Sequence, residues 1–493
     1  MSVQLNWTAL GPEKQGVVLK YLKIEPKPTF FDLKRKKWKK KPTNDTDVDT
    51  DKGKGVDFYR YDPVSDLIRI PYKFAELVIG YNNDKKIFNN NEYIFKSQLF
   101  DNQVDLYNDA WNHLIQNKAV NFCPFTSSGK TAMAIKMTAD LSKFKNVGIN
   151  LAIMTNTALL PQWSSSVKEF TTAIPYIVDS SKFNPPQGCN FLITTPGMCC
   201  HIPDLWKYNI GVLILDEAHT LCSASRVDAL LAVQPKYVIA CTATFERDDG
   251  MHAMIEAITG FDKIIKISKK PFNVYRINTG CDVQIPRNRF NDPDWNALVG
   301  LLCSDEYRNG LILDFVKMNA VHHKILVLTQ RKEHVISLCK RTNEMGIRSD
   351  LMTGNKKKYN DSQVLYGTVK KLGTGFDEKA ACQDFNGIRI GLLIICISIK
   401  SLACLEQVAG RAFRADFPNI LYFIDDNPIM ERHFEKGVKW FISRNGTIHD
   451  MNTLRYEENL KNKGQSVSHD VKKGPDIAMQ QILQLKKEIE NKK

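Results

Sequence analysis

The stretch AVNFCPFTSSGKTAMAIKM (Ala119–Met137) decides the fold of the first half of the chain. Its apolar start, Ala119–Cys123, predicts a buried strand, and its end, AMAIKM, predicts a helix. The polar turn between them finishes in Gly129, Lys130 and Thr131, which is typical of a strand–turn–helix that binds a nucleoside triphosphate. In such a turn the backbone amides converge on the phosphates, the lysine reaches the outer phosphate oxygens and the threonine hydroxyl ligates Mg²⁺.

The upstream half of this turn departs from the glycine-rich pattern. Pro124 stands where the full consensus has glycine, and Ser127 is a second departure. If Ser127 needed a positive φ, the strain would cost about 1 kcal/mol. The turn taken alone is therefore a working phosphate site, a degraded one or a chance match. The predicted phosphate-binding residues are Thr126, Ser127, Ser128, Gly129, Lys130 and Thr131.

Short apolar runs that end in polar clusters recur along the chain. Between about 96 and 271 they are AVNFC, VGINLAIM, CNFLIT, GVLIL and KYVIA, and between about 310 and 425 they are HKILVLTQ, DSQVLYGTV, IGLLIICIS and NILYFID. Such alternation with helical stretches is typical of parallel sheets whose carboxyl edge carries the chemistry. The sequence predicts an α/β fold with two tandem parallel-sheet domains, over 96–271 and 272–455.

The two ends of the chain differ from this central region. We predict an N-terminal accessory module over 1–95, with strands within Val56–Ile79 and a charged linker around 34–55 that contains KRKKWKKK. Residues 456–493 form a predicted basic tail, in which PDIAMQQILQLKKEIENKK has the spacing of an amphipathic helix.

Composition favours a polyanionic partner. The formal net charge is +14 and the isoelectric point is about 9.0, so nucleic acid is a better match than a membrane surface. The longest apolar run, GLLIICI, is far shorter than the roughly 20 residues that span a bilayer, and predicts a buried strand. Twelve scattered cysteines predict reduced thiols in an intracellular protein, located in the cytoplasm or the nucleus.

The second chemical signal is LILDEAHT (Leu213–Thr220). Four apolar residues place Asp216 and Glu217 at the end of a predicted buried strand, in the crevice beside the phosphate turn. There Asp216 would hold Mg²⁺ together with Thr131, and Glu217 would orient the attacking water and accept its proton. His219 would link this site to its surroundings. The alternative is an acidic strand end that occurs by chance.

Four motifs in order carry a family resemblance. PFTSSGKT, DEAH, TAT and QVAGRAFR resemble the motifs of the superfamily 2 helicases and translocases, over about residues 96 to 425. TATFERDDG is similar to the form found in the repair helicase XPB, in phage recombination helicases and in poxvirus transcript-release helicases. LGTGFDEKA and SLACLEQVAGRAFR resemble helicases encoded by large DNA viruses, which adds a virion or a viral factory to the expected locations. The resemblance implies two RecA-like domains that bind ATP and Mg²⁺.

Motif QVAGRAFR also has a physical interpretation. Gln407, Arg411 and Arg414 are spaced by four and three residues, so a continuous helix would present all three on one stripe. Such a stripe is a poor core face and a good triphosphate clamp. If the second domain presents it across the cleft towards Lys130, Arg411 and Arg414 act as arginine fingers, an effect of roughly a thousandfold or more in rate.

The resemblance assigns further residues by their place in its motifs. Gln103, in LFDNQVDLYNDAW, would read the adenine, and Asp377 would contact the ribose or couple the domains. Thr157, Thr195, Gly197, Thr329 and Thr374 would contact the phosphates of a strand. The complete set assigned to nucleic-acid contact or coupling is Thr157, Thr195, Gly197, His219, Thr242, Thr244, Arg247, Asp249, Thr329, Gly373 and Thr374.

These features favour an ATP-dependent helicase or translocase that acts on nucleic acid, with DNA favoured and RNA left open. Viral transcription, repair or replication is the expected process, with the transcription machinery a candidate partner and a monomer favoured. One alternative is an ATP-driven remodeller of protein–nucleic acid complexes that does not separate strands. Another is a non-catalytic nucleic-acid-binding subunit in which the phosphate turn has decayed.

Overall fold

The computed structural model describes part of the chain and divides it into two compact units, Met1–Lys266 (unit 1) and Ile267–Lys493 (unit 2). The predicted tail helix and nearly all of the predicted charged linker lie outside the described residues. The described residues are 2–25, 55–81, 87–125, 128–243, 245, 247, 249–266, 270–354, 356, 358–373, 376 and 378–462.

Unit 1 contains twelve strands and nine α-helices among its described residues. The strands are β1 (Ser2–Asn6), β2 (Lys23–Ile24), β3 (Val56–Asp57), β4 (Arg60–Asp62), β5 (Leu67–Pro71), β6 (Ala119–Pro124), β7 (Ile149–Ile153), β8 (Pro175–Val178), β9 (Phe191–Thr194), β10 (Ile210–Asp216), β11 (Tyr237–Cys241) and β12 (Lys263–Lys266). The helices are α1 (Gly11–Tyr21), α2 (Tyr72–Phe74), α3 (Asp101–Asn117), α4 (Lys130–Ser142), α5 (Leu159–Phe170), α6 (Asp204–Tyr208), α7 (Ala218–Leu221), α8 (Val227–Leu231) and α9 (Ala253–Thr259).

A seven-stranded sheet with the order β12-β6-β11-β10-β7-β9-β8 forms the centre of unit 1, and all its pairings are parallel. Alternate residues of β10 enter two apolar cores: Leu213 and Leu215 pack on one face, and Val212 and Ile214 on the other. Strands buried on both faces explain the continuous apolar runs in the sequence. Because all strands point the same way, the residues that follow β6, β10 and β11 meet at one edge.

The N-terminal residues form a small antiparallel sheet of order β1-β5-β4 that packs on the rest of unit 1. Ser2 joins the two parts, because its N–H donates to the Val233 carbonyl (2.9 Å) and its hydroxyl to the Leu231 carbonyl (2.7 Å). The strand prediction for Val56–Ile79 is wrong at its end, where residues 72–79 are helical. There Tyr72, Phe74 and Ile79 bury their side chains in one apolar cluster, which helical spacing permits.

Unit 2 contains seven strands and seven α-helices among its described residues. The strands are β13 (Phe272–Asp282), β14 (Ile325–Thr329), β15 (Ser349–Met352), β16 (Val364–Thr368), β17 (Leu392–Ile395), β18 (Asn419–Asp426) and β19 (Gly446–Asn452). The helices are α10 (Trp295–Ser304), α11 (Glu306–Asn319), α12 (Lys332–Glu344), α13 (Glu378–Ala381), α14 (Leu402–Ala409), α15 (Pro428–Ser443) and α16 (Leu454–Asn462).

These strands form a second parallel sheet of seven, with the order β15-β16-β14-β17-β18-β13-β19. The two sheets confirm the predicted α/β fold of two tandem RecA-like domains. Five of the strands, β8, β12, β13, β15 and β19, were not among the apolar runs that predicted the sheets. Among the residues that the structure describes, every helix is too short or too polar to cross a lipid bilayer.

Candidate nucleotide site and nucleic-acid surface

The phosphate turn lies between β6 and α4, as the sequence predicts. Gly129 has a φ of 86°, and α4 begins at the next residue, Lys130. A Cβ added at Gly129 would lie 2.3 Å from the Gln103 Nε2, and the positive φ would strain any residue that has a side chain, so glycine is favoured here. Ser127, for which a positive φ would be costly, lies outside the described residues. The N-terminus of α4 offers its first backbone N–H groups, with Thr131 in its first turn, to an anion.

Gln103 is attached to this turn. Its Nε2 donates to the Ser128 carbonyl at 2.8 Å, and its Oε1 accepts from the Phe100 N–H at 3.0 Å. The side chain is buried at 7% exposure. Gln103 therefore holds the base of the phosphate turn, and an amide keeps a second N–H for a further contact. Its predicted contact with adenine stays a prediction.

The carboxyl end of β10 brings its two acids to the phosphate lysine. The Lys130 Nζ lies 3.3 Å from the Glu217 Oε1, and both side chains are mostly buried, at 13% and 16% exposure. Asp216 is the last residue of β10, and its Oδ1 accepts from the Glu217 N–H at 3.1 Å. The phosphate turn and the DEAH segment thus form one cluster of a cation and two carboxylates.

The pKa values of this cluster are displaced from their usual range. Burial, followed by the charge of Glu217, raises the pKa of Asp216 to about 6. Burial alone would lower the pKa of Lys130, but the charges of Glu217 and Asp216 outweigh it and raise this pKa. Two adjacent acids that share a single lysine are under-neutralised, which is the condition in which a divalent cation binds favourably.

Trp163 contacts this cluster, although none of the sequence motifs assigns a role to its side chain. It lies on α5, within the LLPQW stretch, and its Nε1 donates to the Asp216 Oδ2 at 2.9 Å. Its exposure is 2%. One oxygen of Asp216 is therefore oriented by an indole N–H. The available signal was an indole on an amphipathic helix directly after β7, the strand that neighbours β10.

His219 links the acids to the end of β11. Glu217 adopts a left-handed conformation, with a φ of 49°, and α7 starts at the next residue. The His219 Nδ1 lies 2.7 Å from the Thr242 Oγ1 and 3.6 Å from the Glu217 Oε2. Burial lowers the pKa of His219, so its imidazole is neutral at pH 7. A positive φ in a residue other than glycine is uncommon, and at Glu217 it coincides with the predicted catalytic position.

Arg247 extends this chain of contacts. Its Nη1 donates to the His219 carbonyl at 2.6 Å, and its Nε and Nη2 bind the two carboxyl oxygens of Asp249 at 2.9 and 2.5 Å. The bidentate hydrogen bonds of Arg247 lower the pKa of Asp249. The predicted coupling residues His219, Thr242, Arg247 and Asp249 are therefore connected from the DEAH segment to the segment after β11.

The predicted strand-contact residues of unit 1 meet in one shallow cavity of about 360 Å³. Thr157, Thr195 and Gly197 line it, and so do Ser225 and Arg226. Thr157 and Gly197 are exposed. Hydroxyl, backbone and guanidinium groups at an open surface are typical contacts for phosphate oxygens.

In unit 2 the QVAGRAFR segment differs from its prediction. Helix α14 ends at Ala409, and a 3-10 turn follows over Ala412–Arg414. Gln407, Arg411 and Arg414 therefore do not share one continuous α-helical stripe, because the turn tightens after Gly410. Arg411 is buried at 7% exposure, and its Nη1 donates to the Phe376 carbonyl at 2.6 Å. Gln407 and Arg414 are half-buried.

The remaining predicted site residues are either in surroundings other than those expected or outside the described residues. Thr329 is completely buried at the end of β14, and its hydroxyl donates to the Arg331 carbonyl at 3.2 Å. The Thr329 side chain is therefore not at the surface of unit 2, and its predicted contact with a strand stays a prediction. Gly373 ends the π-helix Val369–Gly373 after β16. The predicted site residues that lie outside the described residues are Thr126, Ser127, Thr244, Thr374 and Asp377.

Comparison with known proteins agrees with these motifs. A family model described as type III restriction enzyme, res subunit, matches residues 96–247. "Putative helicase 161L" of Invertebrate iridescent virus 6 is 29% identical over 386 residues, which cover 72% of this chain and 83% of the relative. These relatives and the order of the motifs make the chain similar to the superfamily 2 helicases. The predicted resemblance to helicases of large DNA viruses is confirmed.

A second relative of this chain is "Putative helicase 055L" of Frog virus 3 (isolate Goorha), at 26% identity over 70% of this chain and 78% of the relative. Among solved structures, S. cerevisiae Dbp5 bound to RNA and ADP BeF3 matches with a TM-score of 0.49 and 13% identity, over 72% of this chain and 92% of that chain. T4 UvsW matches with a TM-score of 0.30 and 12% identity, over 78% and 88%.

The residues of this site fit ATP and Mg²⁺. The Ser128 Oγ is buried and has no hydrogen-bond partner among the described residues, so a phosphate oxygen would satisfy it. The helix N-terminus at Lys130 supplies amides to the phosphates. Asp216 and Thr131 are oxygen donors of the kind that Mg²⁺ prefers. The donor set thus matches a magnesium nucleotide in both charge and chemistry.

Proposed function

We propose that this protein is an ATP-dependent helicase or translocase, which separates nucleic acid strands or moves along them, with DNA as the favoured substrate. The observation that carries the proposal is the cluster of Lys130, Asp216 and Glu217 at one edge of the first sheet. A buried lysine beside two adjacent carboxylates is a poor way to stabilise a fold, because the charges are not balanced. It is a good site for a triphosphate and a divalent cation.

The chain's own residues have separate roles in this proposal. Lys130 leaves Glu217 and binds the outer phosphate oxygens, while Thr131 and Asp216 hold the cation. At the position that Thr131 and Asp216 form, Mg²⁺ would supply neutralisation of the charge on the transferred phosphoryl group. Release from Lys130 frees the Glu217 carboxylate to orient a water molecule and to accept its proton at one carboxyl oxygen. His219 stays neutral, and its contacts keep the Glu217 and Thr242 side chains in their relative positions.

The coupling to nucleic acid uses the chain of contacts around Arg247. The segment after β11 is tied to the His219 carbonyl, so a change at the DEAH segment is transmitted to it. Arg414 is the proposed arginine finger. The proposed role of Arg411 is to hold the segment that carries Arg414, through its hydrogen bond to the Phe376 carbonyl. The proposed processes are viral transcription, repair or replication, on DNA or on the DNA and RNA of a transcription complex.

A purified-protein assay tests this proposal. ATP hydrolysis is measured without nucleic acid and with single-stranded DNA, duplex DNA and RNA in parallel, followed by strand displacement on a tailed duplex. We expect nucleic acid to stimulate hydrolysis and ATP to drive displacement. Stimulated hydrolysis without displacement would instead support the remodelling enzyme, and absence of hydrolysis would support the non-catalytic subunit.

Two arginine variants test the assignment in unit 2. Arg414→Ala should bind ATP with nearly unchanged affinity and lose about a thousandfold in hydrolysis, because a finger acts on the transition state. Arg411→Ala should lose hydrolysis as well, since it removes the support. If either variant loses only ATP affinity, the assignment of that residue is wrong.

A further inference from the structure

A cleft in unit 1 separates the small N-terminal sheet from the body of the unit. Its volume is about 440 Å³, larger than the cavity that holds Thr157 and Thr195. The two cavities share Pro196, Gly197 and Ser225 as lining residues. The cleft is therefore the direct continuation of the proposed strand-contact surface towards the N-terminal sheet.

The wall formed by the N-terminal sheet carries an unusual pair of charges. In the antiparallel register Arg69 of β5 lies directly opposite Arg60 of β4 and Gln4 of β1. The neighbours of Arg69 on β5, Ile68 and Ile70, are completely buried on the opposite face. Gln4, Arg69 and Arg60 thus form a polar row across the sheet. Like charges directly opposite each other destabilise a sheet unless an anion lies between them.

Among the described residues, Arg60 forms an ion pair with a carboxylate, whereas Arg69 has only a longer-range attraction to the exposed Asp62. The Arg60 Nε binds the Asp228 Oδ1 at 2.6 Å, across the cleft. Arg69 is exposed and lines the cleft, and it forms no ion pair with an acid in the described part of the chain. A second anion beside Arg69 would relieve the repulsion that Asp228 relieves for Arg60.

The opposite wall supplies a cation and an aromatic ring. Lys207 and Tyr208 lie at the end of α6, and Tyr208 is 64% exposed. Lys207 is only loosely paired, with its Nζ 3.6 Å from the Asp204 Oδ1. The cleft therefore holds three cations, Arg60, Arg69 and Lys207, against the carboxylates of Asp204 and Asp228. A cationic groove with an exposed aromatic ring is typical of contacts to a nucleic acid strand.

We propose that this cleft binds the phosphodiester backbone of the strand that crosses Thr195 and Gly197, with Arg69 and Lys207 as the phosphate contacts and Tyr208 beside a base. The inference rests on the proposed function, because it extends the same strand path. In this arrangement the N-terminal sheet lengthens the track that unit 1 presents to nucleic acid. Recognition is independent of sequence, because only phosphates and a ring face are contacted.

The test measures affinity of the full chain for a fluorescent single-stranded oligonucleotide over a series of salt concentrations. Arg69→Ala and Lys207→Ala should each weaken binding by between about threefold and tenfold at moderate salt. Each should also reduce the slope of log affinity against log salt by about 0.7, the value for one lost contact on a single strand. Arg69→Lys should keep most of the wild-type slope.

The matched control is Lys20→Ala. Lys20 is an exposed cation of the same N-terminal region, on α1, and does not line the cleft. Its loss should leave affinity and slope unchanged. A strand that contains 4-thiouridine should crosslink to Tyr208 in the wild-type chain and much less in Arg69→Ala.

Three results would overturn the inference. The first is wild-type affinity and slope in both Arg69→Ala and Lys207→Ala. The second is an equal loss in Lys20→Ala, which would indicate a general charge effect. The third is displacement of the strand by inorganic phosphate at constant ionic strength, which would indicate a site for a small anion. If the wild-type chain binds no nucleic acid at all, the proposed function and the inference both fail. If the wild-type chain binds nucleic acid and both variants bind it equally well, only the inference fails.

Discussion

The carboxyl edges of the two sheets each hold an acid–base pair, and the two pairs differ in how completely they are enclosed. In unit 1 the Lys130 Nζ and the Glu217 Oε1 are 3.3 Å apart, with 13% and 16% of their side chains exposed. In unit 2 the Arg308 Nε and the Asp425 Oδ1 are 2.8 Å apart, with 2% of each side chain exposed. The same sheet architecture thus carries a partly exposed pair, Lys130–Glu217 (the loose pair), and an almost completely buried pair, Arg308–Asp425 (the sealed pair).

The hydrogen bonds around the two pairs explain this difference. Arg308 also donates to the Cys396 carbonyl at 2.9 Å, and Asp425 also accepts from the Thr279 hydroxyl at 2.8 Å. The unit 2 pair is therefore satisfied by the fold itself. The unit 1 lysine faces two acids at the mouth of a phosphate turn. Each of the two parallel sheets has a carboxyl edge of this kind. The edge whose buried polar groups lack some of their partners is the one that we expect to bind a ligand.

The largest expected effect removes the acid of the loose pair. Glu217→Gln keeps the shape of the side chain and removes the base, so stimulated ATP hydrolysis should fall by about a hundredfold to ten-thousandfold. Nucleic-acid affinity should stay near that of the wild-type chain. Steady-state hydrolysis and oligonucleotide binding measure the two quantities. Turnover within twofold of wild type would show that Glu217 is not the base.

The next effect concerns the sealed pair. Arg308→Met leaves Asp425 buried without its partner, and should lower the free energy of unfolding of unit 2 by about 3 to 5 kcal/mol. Hydrogen exchange in β18 reports this loss. The control is Arg341→Met, which breaks the exposed pair with Glu306 and should cost less than about 1 kcal/mol. Equal losses in both variants would contradict the distinction between sealed and exposed pairs.

A pH dependence sharpens the comparison further. His334 lies beside Arg308, and burial followed by the charge of Arg308 lowers its pKa to about 3. Because this pKa is below that of the unfolded chain, about 6.5, the stabilising contribution is complete above pH 6.5 and is lost as the pH falls towards 3. Between pH 7.5 and 5 unit 2 should lose about 2 kcal/mol through this group.

Urea unfolding followed by hydrogen exchange in β14 measures that loss at both pH values. The side chain introduced in His334→Gln cannot be protonated. Between pH 7.5 and 5 the free energy of unfolding of this variant should therefore fall less than that of the wild-type chain, by the contribution of His334. Equal pH dependence in the variant and the wild-type chain would mean that His334 does not titrate as a buried neutral imidazole.

The smallest expected effect concerns the orientation of Asp216. Trp163→Phe keeps an aromatic ring in the core and removes the N–H that holds the Asp216 Oδ2. We expect the Mg²⁺ concentration for half-maximal binding of an ATP analogue to rise about tenfold, as for the loss of a partner that orients a metal ligand. Calorimetric titration measures it. Trp206→Phe is the control, and a similar rise there would remove Trp163 from the site.

The sequence predicted the central strands of both sheets because they are buried on two faces and are apolar throughout. The strands that it missed are at or near the sheet edges or are polar, such as β12 (Lys263–Lys266) and β19 (Gly446–Asn452). The helical turn at residues 72–79 was missed because its aromatic and branched residues suit a strand equally well. Tertiary packing decides such segments.

The candidate site was predictable where chemistry and local spacing coincide. Lys130, Asp216 and Glu217 follow directly from a turn and a strand end. The contact of Trp163 with Asp216 joins residues 53 positions apart, and no local pattern contains it. The helix predicted through Arg411 and Arg414 failed because spacing alone does not show where a helix tightens. The burial of Thr329 follows from its place at the end of a central strand.

Hydrogen–deuterium exchange with and without a magnesium complex of a non-hydrolysable ATP analogue tests the central claim most directly. We predict that the nucleotide slows exchange at the start of α4 and at the end of β10, where Lys130 and Asp216 lie. Exchange around Arg308 and the end of β18 should stay unchanged. Slower exchange around Arg308 and Asp425, with none at α4 and β10, would contradict the account.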